Sequence, residues 1–297
     1  MKRLLFILAA ISLHAAPPDK RDGPNGHKIV PVAAGEYAVG AEDSPRNPAR
    51  RVKLAAFGIA DTETTNEQFA AFVAATGYVT DAERNGFGKV AVEGMGEWKW
   101  DQVKGAHWRK PMGGRGPGWE ELLKHPVTQI SGADAVAYCE WLGVRLPTLD
   151  EWEVAARAGS AARYPWGDKY DPKRANTWNG EMHLRNTRED GFVYTAPVRS
   201  YPENAWGLYD VIGNVFEYCA DFPAGEKPDA AMHLIAGRGG SWWCSFNTCS
   251  YFNLVDIGEM VRYGTLSNQG FRIAVDAAKY RKSKSAGSNQ KKRGTAR

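Results

Sequence analysis

The sequence predicts a turn-rich α+β fold that forms a single domain. Of the 297 residues, 11 are Trp, 32 are Gly and 16 are Pro, and so many rigid rings and turn residues are not typical of a helical bundle. Strand-like runs alternate with three capped helical patterns. Residues 28–277 show neither an internal repeat nor a second composition regime, which favours one domain over two.

The N-terminus has the pattern of a secretory signal peptide. A basic start, MKR, precedes an apolar run from Leu4 to Leu13 and the small residues Ala15 and Ala16. We assign residues 1–16 to a signal peptide and expect a protein exported to a periplasm or secreted. The alternative, a membrane anchor, is weaker because a bilayer core takes about 20 apolar helical residues to cross.

Polar segments flank the predicted domain of residues 28–277. Residues 17–27 contain adjacent prolines and two glycines and are interpreted as a linker. Residues 278–297 are rich in Lys, Arg, Ser and Gly, which predicts a disordered basic tail. The predicted domain has no basic patch with interleaved aromatics, so we expect no nucleic-acid partner. No other apolar run is long enough to span a bilayer. We expect the protein to be a monomer.

Three segments carry start and stop signals of helices. They run from Thr65 to Gly77, from Ser131 to Gly143 and from Thr148 to Gly159. Each opens with a hydroxyl residue followed three positions later by an acid or amide, the pattern of a capping box, and each closes at a glycine. Cys139 falls inside the second helix and is interpreted as a small buried thiol.

The remaining patterns predict strands and one long loop. Ile29 to Val39 alternates around Gly35 as a short hairpin would, and Arg51 to Ile59 is strand-like. Residues 84–124 read as a loop with four tryptophans among Gly and Pro. So long a loop in a compact domain is usually functional or disordered, and its indole rings favour order.

The chemistry is predicted to centre on Gly237 to Asn253, GRGGSWWCSFNTCSYFN. Cys244 and Cys249 lie five residues apart behind a glycine-rich turn and two tryptophans. Thiolates are nucleophiles, redox centres and soft-metal ligands, so the pair could bind Cu(I). In an exported protein the same pair could be a structural or redox disulfide, and spacing alone favours that alternative while leaving the metal or catalytic pair open.

Eight blocks of sequence occur in the order and spacing of one known family. They are AAGEYAVG, TETTNEQFAAFVAATGYVTDAER, GAHWRKP, HPVTQISGADAVAYCEWLGVRLPTLDEWEVAARAG, YPWGD, APVRSYPENAWGLYDVIGNVFEYCAD, RGGSWWC and NQGFRIA. Through them the chain resembles the formylglycine-generating enzymes, also called sulfatase-modifying factors, over about residues 28–274. The resemblance implies a single compact domain related to the C-type lectin fold, with little regular secondary structure.

The resemblance also implies an activity. Active members oxidise a cysteine of an unfolded sulfatase to Cα-formylglycine with O₂ and a copper ion held by two cysteines, whose separation equals that of Cys244 and Cys249. By this resemblance the two cysteines bind copper and Ser241 lies in the oxygen pocket. Tyr218 stands where the family usually has a tryptophan beside that pocket. The implied partner is an unfolded sulfatase or another cysteine-containing protein or peptide.

Two calcium sites follow from the same resemblance. Calcium takes six to eight oxygen ligands, so a few carboxylates or amides with backbone carbonyls and water form a reasonable site. The residues that match the first site are Asn176, Thr177, Asp190 and Phe192, and those that match the second are Gly213, Asn214, Val215 and Glu217. The alternative is that these side chains only make turns and hydrogen bonds.

The chain departs from the family pattern after Cys249. Tyr251, Asn253 and Ile257 stand where arginines are usual, and Met260 to Tyr263 replaces an Asn-Thr-Pro-Asp run. Those positions bind the substrate peptide in the family. We therefore expect a copper-dependent oxidase with altered specificity. The alternatives are an oxidase of a different thiol and a non-catalytic binding module on the same scaffold.

Overall fold

The computed structural model describes residues 19–96, 99–223, 233–247 and 249–277. The predicted signal peptide and the predicted basic tail lie outside these ranges. Within them, no helix has the length and apolar character needed to cross a membrane.

Helices in the described ranges begin at hydroxyl side chains that cap them. They are α1 (Asn66–Thr76), α2 (Asp81–Asn85), α3 (Gly132–Leu142) and α4 (Leu149–Arg157), with 3-10 turns at Pro24–Gly26 and Pro172–Arg174. All four α-helices have a complete capping box, in which the cap hydroxyl and the side chain three positions later each accept a backbone hydrogen bond. The three predicted helices are confirmed, and α2 is an addition to them.

The strands of the described ranges are short. They are β1 (Arg21–Asp22), β2 (Lys28–Val32), β3 (Gly35–Val39), β4 (Arg50–Leu54), β5 (Phe57–Ala60), β6 (Phe87–Val90), β7 (Asp101–Lys104), β8 (Gly180–Glu181), β9 (Arg185–Asn186), β10 (Phe216–Tyr218), β11 (Leu234–Arg238), β12 (Gly258–Val261), β13 (Gln269–Gly270) and β14 (Ala274–Asp276). The predicted α+β domain with little regular structure is confirmed.

Two four-stranded sheets form the framework. One has the order β1-β2-β5-β14 and the other β12-β11-β10-β13. In the second sheet β10 pairs parallel with β13, whereas its pairing with β11 is antiparallel. Helix α4 packs against β3 and β11. Since β11 runs directly into the cysteine segment, the second sheet and α4 together position it.

Two strand predictions are wrong in detail. Residues 29–39 do not form a hairpin, because β2 pairs with β1 and β5 while β3 pairs with β4. The predicted loop of residues 84–124 contains the end of α2 and the antiparallel hairpin of β6 and β7. In both places the pairing partner is chosen by packing in the whole domain, which local alternation does not reveal.

The folded part also begins earlier than the predicted linker allows. β1 pairs with β2, and the side chain of Asn25 donates hydrogen bonds to Gln68 O at 2.8 Å and to Tyr138 Oη at 2.9 Å. His27 is buried against the same tyrosine. From Arg21 onward this polar stretch is therefore part of the domain, since its polar groups find partners on α1 and α3.

A buried ion pair ties α4 to the strand that leads into the cysteine segment. Arg238 Nη2 lies 2.5 Å from Glu153 Oε2, and both side chains are fully buried. Glu153 also accepts hydrogen bonds from Asn47 and Arg157. Burial opposes ionisation of Glu153, but Arg238 and Arg157 outweigh it and lower its pKa. The carboxylate is therefore held charged between two guanidinium groups.

Replacing Glu153 by Gln should strongly destabilise the domain, because it leaves Arg238 buried without an ionised partner. Such a loss typically costs about 3–5 kcal/mol of unfolding free energy, measurable by urea denaturation. The control is Glu36→Gln, which breaks a pair with Arg51 that is more than half exposed on both sides and should cost under about 1 kcal/mol. Similar small losses in both variants would contradict the central role given to Glu153.

Candidate active site

The segment from Gly237 to Asn253 folds back on itself at two glycines directly after β11. Gly239 and Gly240 have φ values of 86° and 73°, in the left-handed region that favours glycine. A Cβ on Gly240 would lie 2.6 Å from the Cα of Phe252. Only glycine therefore allows the two limbs of the segment to approach this closely.

Cys244 and Cys249 are brought together inside this fold-back as free thiols. They are 1% and 8% exposed and form no disulfide. The thiol of Cys244 is hydrogen-bonded with that of Cys249. Burial raises the pKa of Cys244 well above its usual range, and the neighbouring thiol is the second cause of this increase. Cys244 is thus a protonated, desolvated thiol rather than a ready-made thiolate nucleophile.

Ser241 lies beside the pair and is oriented by an asparagine. Its hydroxyl oxygen is 3.6 Å from Cys244 Sγ and accepts a hydrogen bond from Asn268 Nδ2 at 2.8 Å. The side-chain oxygen of Asn268 is buried without a hydrogen-bond partner among the described residues. Asn268 was not singled out from the sequence, although it opens the NQGFRIA block.

Tyr218 does not join the cysteines in this structure. Its hydroxyl lies 3.0 Å from Ile130 O and 2.9 Å from Gln269 Oε1, acceptors on another side of the site. Burial raises the pKa of this phenol well above its usual range, so it is a neutral donor. Its link to the site runs through Gln269, the neighbour of Asn268. Tyr218 is therefore placed as a positioning residue for β13.

Buried aromatic rings pack around Trp243, the residue before Cys244. Trp243 stacks on His183 with 3.9 Å between ring centroids, and it also packs edge-on against Trp178 and Trp242. The backbone N–H of Trp178 donates to the carbonyl of Cys244 at 2.9 Å. These large buried rings fix the Cys244 backbone and exclude water from it.

Two aromatic side chains next to the cysteines are instead open to solvent. Phe246, two residues after Cys244, is 63% exposed, and Tyr251, two residues after Cys249, is 38% exposed. The Phe246 ring rests edge-on against Phe252, with 4.8 Å between centroids. We call these two exposed aromatic side chains, each two residues from a cysteine, the apolar rim.

Three of the seven positions that depart from the family pattern after Cys249 are buried and structural here, whereas Val261 and Tyr263 are exposed. Asn253 is buried and caps the following turn, accepting from the backbone N–H groups of Val255 and Asp256. Ile257 is buried in the core, and Met260 lies inward on β12. Of the three positions that replace expected arginines, Tyr251 alone is exposed enough to meet a substrate.

The first set of calcium residues contains one buried carboxylate, Asp190, which is surrounded by N–H donors. Its carboxylate accepts hydrogen bonds from the backbone N–H groups of Thr177 and Phe192 and from Asn179 Nδ2. Burial raises the pKa of Asp190 to about 6. Within the described residues no basic side chain pairs with it. A carboxylate without a basic partner has the ligand chemistry that Ca²⁺ prefers, but here N–H groups occupy both of its oxygens.

The second predicted set fits calcium less well, because the charge of Glu217 is already balanced by an arginine. Arg272 contacts both Glu217 oxygens, at 2.5 and 2.6 Å, and Trp152 Nε1 donates to one of them. Two nearby acids that were not predicted, Glu63 and Asp210, each leave one buried oxygen without a hydrogen-bond partner among the described residues. These orphaned oxygens are better candidates for a cation than Glu217.

The backbone and amide members of both sets meet at one place. Asn176 donates to Asn214 Oδ1 at 3.0 Å, and Asn214 donates to Glu63 Oε1 at 2.9 Å. Gly213 lies against the carbonyl of Asn176, where an added Cβ would be 2.1 Å from it. Burial raises the pKa of Asp210 to about 7 and that of Glu63 well above its usual range, the latter also through the charge of Asp210. The region is thus rich in uncompensated acid.

No group of three or more His, Cys, Asp or Glu side chains in the described ranges is arranged to hold a metal by itself. A metal at either place would need other donors. For Cys244 and Cys249 a substrate thiol could supply one, and for the acidic sets backbone carbonyls, amides and water could.

Comparison with known proteins defines the class to which this fold and site belong. Residues 14–277 match the family model described as the sulfatase-modifying factor enzyme 1-like domain. This match covers most of the chain and includes the cysteine segment. The chain belongs to the family of formylglycine-generating enzymes and sulfatase-modifying factors, as its motifs predict.

Curated relatives carry names of two kinds. The chain is 40% identical over 285 residues to the formylglycine-generating enzyme of Streptomyces coelicolor, covering 84% of this chain and 89% of that protein. It is 38% identical to the formylglycine-generating enzyme of Bos taurus, with 84% and 75% covered. It is also 37% identical to the inactive Cα-formylglycine-generating enzyme 2 of Bos taurus, with 73% and 78% covered. Overall identity therefore does not separate active from inactive relatives.

Solved structures share the fold. PvdO from Pseudomonas aeruginosa has a TM-score of 0.62 and 23% identity, and covers 88% of this chain and 99% of its own. CarF has a TM-score of 0.56 and 23% identity, with 84% and 98% covered. At this identity the likeness concerns the architecture only.

Proposed function

We propose that this chain is an exported oxidoreductase that converts a cysteine of a sulfatase or another protein or peptide to Cα-formylglycine, using O₂ and copper. The observation that carries the proposal is the buried pair Cys244 and Cys249, which form no disulfide, with Ser241 beside Cys244. Relatives named as formylglycine-generating enzymes support the type of reaction.

The donor chemistry of the pair fits copper. Two buried soft sulfur atoms suit Cu(I), and metal ligation would replace the proton that burial keeps on Cys244. When bound, copper would supply one-electron chemistry with O₂. The residues of the chain hold and shield that site: Cys244 and Cys249 ligate, and Asn268 orients the hydroxyl of Ser241.

The overall reaction balances with an external thiol as reductant. The substrate side chain CH₂SH loses its C–S bond and one C–H bond and gains a C=O bond, giving the aldehyde. The sulfur leaves as H₂S, one oxygen atom of O₂ enters the aldehyde and the other leaves as water. Two electrons and two protons come from the reducing thiols, which become a disulfide.

The activity test compares substrates and variants by mass spectrometry. The copper-loaded protein is incubated with cysteine peptides, O₂ and a thiol reductant, and the product aldehyde is trapped with a hydrazide. We expect aldehyde from wild type and from Cys139→Ser, which removes a buried thiol in α3 and is the matched control. Cys244→Ser should reduce the rate by orders of magnitude because a metal ligand is lost.

Lack of aldehyde with any peptide, from folded and copper-loaded wild type, would favour the alternative of a non-catalytic binding module. That alternative has support in the relative named as inactive. Consumption of a small thiol without peptide conversion would instead indicate an oxidase of a different thiol. The three outcomes are separable in one set of assays.

The apolar rim suggests a substrate unlike the usual sulfatase peptide. We expect Cys-Thr-Pro-Ser-Arg to be converted poorly and Cys-Thr-Pro-Ser-Leu better, because Phe246 and Tyr251 offer apolar contact and Tyr251 replaces an arginine. Tyr251→Ala should lower kcat/KM for the Leu peptide about tenfold, since a lost contact of about 1.4 kcal/mol has this effect. The control is Val79→Ala, an exposed apolar residue before α2. Efficient conversion of the Arg peptide would show that these positions do not govern recognition.

We also propose that Ca²⁺ binds at Asp190 and at the acidic group of Asp210 and Glu63. A cation there would stabilise the ionised forms of these acids, whose pKa values burial raises. Chelation should lower the Tm of wild type, and saturating Ca²⁺ at about 100 times its Kd should add roughly 2.7 kcal/mol of stability. Asp190→Asn should lose part of this Ca²⁺ response, whereas Asp168→Asn, on an exposed turn, should keep it. An unchanged Tm on chelation would refute calcium binding.

A further inference from the structure

A polar cavity of about 590 Å³ lies at the start of the domain, and it shares no lining residue with the cysteine site. Its walls come from residues 25–28, from Thr62 and the first turns of α1, and from the loops at Lys124 and Arg199. This volume is within the range of small-molecule sites. Among the described residues, one histidine nitrogen of its lining has no hydrogen-bond partner, and one lysine has no carboxylate partner.

The first unmet need belongs to His27, which lines the cavity and is 2% exposed. Its Nε2 lies 2.9 Å from the hydroxyl of Tyr138, while its Nδ1 is buried without a partner in the described part of the chain. Burial lowers the pKa of His27 to about 3, so the ring is neutral and carries one proton. Which nitrogen holds that proton decides what the cavity lacks.

The hydrogen bonds of Tyr138 assign the proton to Nδ1. Asn25 Nδ2 donates to the Tyr138 oxygen at 2.9 Å, so the hydroxyl hydrogen must find an acceptor elsewhere. His27 Nε2 is the acceptor within reach, and accepting requires it to be unprotonated. Nδ1 then carries the hydrogen as a buried donor without an acceptor, an unfavourable state that a ligand oxygen would relieve.

The charges around the cavity point to the same kind of ligand. Its lining contains the basic side chains of Lys28, Lys124 and Arg199 and one acid, Glu67. Lys28 pairs with Asp22 and Arg199 with Asp61. For Lys124, no carboxylate of the described residues lies within ion-pairing distance. Lys124 is therefore a cation of the same cavity lining with no carboxylate partner among the described residues.

The N-terminus of α1 contributes no donor of its own. The backbone N–H of Asn66 is taken by the carbonyl of His125 at 3.0 Å, and that of Glu67 by Leu123 at 3.0 Å. Gln68 N–H is taken by the Thr65 hydroxyl. Recognition would fall to side chains, which rules out a simple helix-dipole explanation.

We propose that this cavity binds a small oxyanion, a carboxylate or a phosphate, which pairs with Lys124 and, after a small movement that uncovers the ring nitrogen, accepts a hydrogen bond from His27 Nδ1. Lys28 and Arg199 already pair with carboxylates, so Lys124 would be the main cation for this ligand. This site is separate from the proposed oxidase function, and either can fail without the other.

The test uses the full chain, with inorganic phosphate and succinate as separate probes. NMR of ¹⁵N-histidine-labelled protein should show the Nδ1–H tautomer of His27, and the His27 signals should shift on saturation by one probe. Calorimetry should show that Lys124→Gln weakens that binding at least tenfold, or about 1.4 kcal/mol. Lys104→Gln, an exposed lysine on β7, is the matched control and should leave affinity unchanged.

The identity of the binding probe distinguishes a phosphate from a carboxylate site. The proposal is overturned if His27 holds its proton on Nε2, if neither probe binds at roughly 10 mM, where even a weak Kd of about 1 mM would give saturation, or if Lys104→Gln weakens binding as much as Lys124→Gln. Because Lys124 is exposed, its replacement leaves the fold intact and the comparison interpretable.

Discussion

The close packing of Phe252 against the backbone of Gly240 controls the geometry of the cysteine site. With 2.6 Å between a built Cβ and the Phe252 Cα, any other residue would push the two limbs apart. The limbs carry Cys244 on one side and Cys249 on the other, so their separation depends on this contact. The buried pair of Arg238 and Glu153 anchors the entry to the same turn.

The second sheet links this turn to the charged interior. β10 and β13 pair in parallel, and from them Glu217 meets Arg272, Tyr218 meets Gln269, and Asn268 reaches Ser241. The carboxylates of Glu63 and Asp210 lie in the same interior with unmet oxygens. A bound cation there would therefore stabilise the strands that position the cysteine pair, which connects calcium to the site without direct contact.

Local signals predicted much of the structure and a smaller share of the site. The helices followed from capping boxes, which are short-range, so Thr65, Ser131 and Thr148 marked their starts correctly. The hairpin at residues 29–39 failed because its two strands pair with partners distant in sequence. Strand pairing depends on packing that local alternation does not encode.

The candidate site shows the same division. Cys244, Cys249 and Ser241 were found because they lie in one short block, and the structure brings them together. Asn268, Asp210 and Glu63 were missed because their importance arises from tertiary contacts. Glu217 was assigned to calcium from its motif, whereas its partner Arg272, 55 positions away, already satisfies it.

The central claim is that Cys244 and Cys249 together form a two-sulfur copper site. Anaerobic titration of the purified protein with Cu(I), against a competing chelator, tests it most directly. Wild type and Cys139→Ser should take up one Cu(I) per chain tightly, and the double variant Cys244→Ser and Cys249→Ser should lose that uptake. Equal uptake by the double variant would contradict it.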